Sequence, residues 1–75
     1  MSSSKVVGII SEEVKILASI SRRALLIEEI SSETDIPLET CRQKVVDLID
    51  LGVMAVEHDS DLYGHEFVRY RLASR

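Results

Sequence analysis

The sequence predicts an α+β domain: three helices, a short strand ahead of the second of them, and a C-terminal β-hairpin. Three observations carry that prediction. Apolar residues recur three and four positions apart through the first two-thirds of the chain, the spacing of one helix face. Pro37 and Gly52 bracket the longest such stretch, "PLETCRQKVVDLIDLG", as start and stop signals. After Gly52 the pattern changes to β-branched and aromatic residues in alternation, "VMAVEHD" and "EFVRYRLA", around the turn-forming "SDLYG".

The first helix is predicted over about Ser11 to Ser21. Ser11 is a suitable N-cap, and Glu12 and Glu13 follow it at the positive end of the helix dipole. Val14, Leu17 and Ser21 share a face with Ile10, and Ile16 and Ile20 widen that stripe. "SRRALL" then breaks the period, with Arg22 and Arg23 at the negative end of the helix and "ALL" as the short strand. Helical spacing resumes at Ile27 and Ile30, with Glu28, Glu29 and Glu33 outside.

"TDIP" is a turn, because Asp tolerates left-handed geometry and Pro37 turns Ile36 away from helix. Pro37 suits the first position of the third helix, where its missing N–H has no partner, and Gly52 suits the left-handed residue past its end. Cys41, Val45 and Leu48 fall on one line of that helix, with Leu38 and Ile49 beside it. In the hairpin, pairing Val56 with Val68 sets Met54, Val56, Val68, Tyr70 and Leu72 on one face. Ala55, Glu57, Phe67, Arg69 and Arg71 then share the other.

Composition narrows the function classes. A chain of 75 residues makes one small domain, burying only about 60 % of its unfolded surface, and leaves little scaffold for a deep catalytic cleft. Hydrophobic residues at 45 % and charged ones at 29 % describe a folded domain, and no apolar run reaches the length of a membrane span. The expected location is cytoplasmic, with no membrane partner. The lone Cys41 excludes an internal disulfide and reads as a small core residue. His58 and His65 flank the hairpin turn beside Asp59 and Asp61, but a solvated turn is the simpler reading than a metal site. No nucleophile lies beside a base and no Gly-rich loop precedes a helix, so neither an enzyme nor a cofactor is expected.

The order of elements resembles the winged helix-turn-helix domain over about Ser11 to Leu72. "IEEISSETDIP" is similar to the second helix and turn of small ArsR-like and MarR-like transcription regulators. "CRQKVVDLIDLGVM" looks like their recognition helix, and "VRYRLA" like the last strand of their wing. The chain departs from that pattern with Asp35 where many relatives have Gly, and with Glu39 where they often have Ser or Thr. Residues 1–10 then form a flexible or dimerising lead, 11–72 the domain and 73–75 a tail.

The resemblance implies a dimeric regulator whose third helix enters the major groove of double-stranded DNA. Arg42 and Gln43 suit guanine and adenine edges, Thr40 or Lys44 suit phosphate, and Arg69 and Arg71 on the outer hairpin face suit the backbone. Val6, Val7, Ile9 and Ile10 are the candidate homodimer interface, with Phe67 undecided between that role and packing. Against DNA stand a net charge of −4, Glu39 on the third helix, and the acids Glu57, Asp59, Asp61 and Glu66 around the hairpin tip. By helical angle Gln43, Asp47 and Glu39 lie near the centre of the exposed face and Arg42 to one side. The rival expectation is therefore a winged-helix module that binds a protein partner and touches no DNA.

Overall fold

The computed structural model describes residues 11–73, and the lead with Val6, Val7, Ile9 and Ile10 lies outside them. Its elements are α1 (Glu12–Ser19), α2 (Ile27–Thr34), α3 (Leu38–Asp50), β1 (Met54–Ser60) and β2 (Glu66–Leu72). Three helices followed by one antiparallel hairpin are compatible with the winged-helix arrangement. Among the described residues no helix is long and apolar enough to cross a membrane.

Each helix start has a local cause. Ser11 adopts an extended conformation and its Oγ accepts from the Val14 N–H at 3.2 Å, which satisfies one orphan donor of α1. At α2, Glu29 reaches back to accept the Leu26 N–H at 2.8 Å, and this device was not anticipated from the sequence. Pro37 caps α3 and does not form its first turn, because its ψ of 145 is extended; the first helical bond runs from the Cys41 N–H to the Pro37 carbonyl.

The turn between α2 and α3 sets the angle at which α3 is presented. Asp35 holds φ 64, the left-handed conformation expected of it. Around it the hydroxyls replace missing helix bonds: Ser31 Oγ donates to the Ile36 carbonyl at 2.6 Å and Thr34 Oγ1 to the Ile30 carbonyl at 2.7 Å. Thr34 Oγ1 also accepts the Ile36 N–H at 3.3 Å. Past the far end of α3, Gly52 takes φ 82 and turns the chain into β1.

The core joins the three helices and β1, with Tyr70 of β2 half-buried against it. Ile16 and Ile20 from the first helical segment, Ile30 from α2, Cys41, Val45 and Leu48 from α3 and Met54 from β1 are buried, together with Leu25 and Ile36 from the connections. The inner line of α3 is thus the one its spacing predicts, and Cys41 is a free core thiol. In α1 the outcome differs: Ile16 points inward, whereas Val14 is 54 % exposed. Packing of α1 on α2 and α3 rotates the helix, so that Glu13 meets Lys44 on α3 and Val14 turns outward.

Two hairpin expectations are corrected. The short strand before α2 is not seen; only Leu25 bridges to Tyr70, with N–H to O distances of 3.0 and 2.7 Å. The strand cannot lengthen, because Leu26 already caps α2. In the hairpin Val56 pairs with Tyr70 instead of Val68, a slip of two positions that leaves every side chain on its predicted face. The slip sets Glu57 opposite Arg69 and shortens the loop to the residues between Ser60 and Glu66. Opposite charges across the strands and a tight Asp61 turn favour that register.

Candidate functional site

The outer side of α3, the longest helix among the described residues, is left unused by the core. Glu39, Arg42, Gln43, Val46 and Asp47 are exposed there, with Thr40 and Lys44 half-buried at its margin. Arg42, Gln43, Val46 and Asp47 line one shallow, open depression. The predicted pair Arg42 and Gln43 is therefore brought to the surface together, in the first half of the helix. Arg42 makes no ion pair among the described residues, as do Lys15 and Arg22.

The other predicted cations are engaged within the fold. Lys44 Nζ donates to Glu13 Oε2 at 3.0 Å, tying α3 to α1, with side-chain exposures of 30 % and 35 %. The Lys44 hydrogen bond holds the Glu13 carboxyl below its ordinary pKa, and Glu13 in turn raises that of Lys44. Arg69 meets Asp59 at 3.0 Å and Arg71 meets Glu57 at 3.2 Å, both on the outer face of the hairpin. Phe67 is half-buried there under the Arg69 guanidinium, 4.9 Å from its ring centre, a packing role that its sequence position left open.

These pairs were hidden in the sequence. The partners Lys44 and Glu13 stand 31 positions apart and meet only through helix packing. The hairpin pairs are diagonal neighbours across the strands, and the two-position slip in register is what brings them together.

The hairpin tip is a built turn. Asp61 Oδ1 accepts from the Tyr63 and His65 N–H groups at 2.8 and 2.9 Å, and its Oδ2 lies 3.1 Å from His65 Nδ1. These bonds, led by the His65 backbone, keep the Asp61 carboxyl below its ordinary pKa. Among the described residues no three His, Cys, Asp or Glu side chains converge as a metal site requires. Leu62 and Tyr63 project from the turn at 99 % and 84 % exposure.

No family model matches this chain, and no curated protein is similar to it. The functional reading therefore rests on the residues and their arrangement.

Proposed function

We propose that this chain is a winged helix-turn-helix DNA-binding protein, a cytoplasmic transcription regulator that acts as a dimer. One observation carries the reading: the first half of α3 presents Arg42, free of any ion pair among the described residues, beside Gln43 on a face the core does not use. That is the end of a recognition helix from which side chains reach base edges. Arg42 would read guanine and Gln43 adenine, with Thr40 on a neighbouring phosphate. Lys44, Arg69 and Arg71 would add phosphate contacts only by sharing or releasing Glu13, Asp59 and Glu57.

Few unengaged cations and an acidic hairpin tip mean weak binding by a single protomer, so useful affinity needs a second copy. The lead residues Val6, Val7, Ile9 and Ile10 are proposed as the dimer element, and Val14, exposed in the first turn of α1, offers further apolar surface to it.

A second reading, a winged-helix protein-interaction module without DNA contact, draws on the pairing of both hairpin arginines with acids. Fluorescence anisotropy of mixed-sequence duplex DNA at two salt concentrations, with the mass in solution measured alongside, separates the two. Salt-sensitive binding by a dimer supports the regulator; absence of binding even at low salt removes it and leaves the interaction module.

A further inference from the structure

The most exposed apolar side chains of the described residues sit side by side at the far end of the hairpin. Leu62 is 99 % and Tyr63 84 % exposed, and neither belongs to the core. Leaving a leucine and a tyrosine fully in water stabilises nothing in the fold.

Their backbone is nevertheless held. The Asp61 carboxylate takes two N–H groups of the turn, the Asp61 N–H donates to the His65 carbonyl at 3.0 Å, and the Gly64 N–H donates to the Asp61 carbonyl at 3.1 Å. Gly64 supplies φ 83, which lets the chain close. A turn whose backbone is already fixed has little backbone freedom left to lose when its two large side chains enter a cleft, and tyrosine is a frequent binding anchor.

Charge selects the occupant. Asp61 and Glu66 flank the tip without a lysine or arginine partner among the described residues, while Asp59 and Glu57 behind them are paired with Arg69 and Arg71. Insertion of such a tip into a DNA groove would bring carboxylates against phosphates. A second copy would bring the same acids against its own.

We propose that the Leu62 and Tyr63 hairpin tip docks into an apolar cleft, rimmed by lysines or arginines, on a different protein. This use of the tip is independent of what α3 binds.

The test begins with the immobilised 75-residue chain and an extract of its source cells. Proteins retained by the wild type but not by the Leu62→Ser, Tyr63→Ser double variant are identified, purified and titrated by calorimetry. The expected result is a partner bound roughly tenfold to a hundredfold more weakly by the double variant. The same partner should be bound more weakly by Glu66→Lys and at raised salt, and also by Asp61→Ala, which leaves both anchors but frees the turn and removes one of the two flanking charges. Unchanged circular dichroism and unchanged duplex-DNA anisotropy in the double variant show that neither the fold nor the α3 face has been disturbed. Three results overturn the proposal: identical retention by wild type and double variant, equal affinity of the purified partner for both, or loss of duplex binding in the double variant, which would make the tip a DNA wedge.

Discussion

At the scale of single residues, the contrast between Arg42 and Lys44 organises the chemistry of α3. They stand two positions apart, yet Arg42 projects into solvent while Lys44 closes an ion pair with Glu13. Arg42→Ala should therefore lower duplex affinity by about 1–3 kcal/mol and relax base preference, with the thermal midpoint unchanged. Lys44→Ala should do the opposite, lowering the midpoint by uncoupling α3 from α1 while changing affinity less than Arg42→Ala does. Anisotropy and thermal melts on the two variants check both outcomes. Because Arg23, Lys44, Arg69 and Arg71 are ion-paired, leaving only Lys15, Arg22 and Arg42 unpaired among the described residues, the logarithm of the binding constant should fall against the logarithm of salt with a slope of only about −2 to −3 per protomer. A much steeper slope would mean that the pairs of Arg69 and Arg71 open on DNA.

The scale of elements is governed by connections. Asp35, at φ 64, fixes how α3 leaves α2, and the hydroxyls of Ser31 and Thr34 bond around it. A β-branched side chain is poorly accommodated there, so Asp35→Val should cost about 1–2 kcal/mol, whereas Asp35→Gly should leave stability within about 0.5 kcal/mol. Urea denaturation of both variants gives the comparison. In the hairpin the register is decided at both ends, by the Leu25 bridge to Tyr70 at the base and the Asp61 turn at the tip. The strands' alternation specifies their faces but is blind to a slip of two, since such a slip returns every side chain to its own face.

For the whole molecule, a small core makes each buried side chain count. Ile30 is fully buried where α2 meets the remaining elements, and Ile30→Ala should cost about 2–5 kcal/mol, enough to populate the unfolded state at 37 °C. Calorimetry or a circular dichroism melt reads this directly. Stability should also depend on acid. Folding lowers the carboxyl pKa of Glu13 from 4.5 and of Asp61 from 3.8, so the native state holds these protons less readily than the unfolded one. Their contribution is present above those values and is lost as pH falls through the lower native ones. The melting midpoint should drop as pH falls below about 4.5, and less so in Glu13→Gln and Asp61→Asn, whose midpoints at pH 7 start lower.

The sequence by itself determined the three helices, the C-terminal hairpin and their order. Periodicity marked the inner line of α3 through Cys41, Val45 and Leu48, cap chemistry marked Ser11 and Gly52, and left-handed tolerance marked Asp35. Alternation assigned the two hairpin faces, and the helical angle placed Gln43 near the centre of the exposed face of α3 with Arg42 to one side. Those features are local: each depends on the backbone conformation of a few neighbouring residues. Only the tertiary structure decided the outward turn of Val14, the shrinking of the first strand to Leu25, the hairpin register and the engagement of Lys44 with Glu13. Helix rotation and ion pairing depend on which distant surfaces meet, and packing settles that after local preferences have been satisfied.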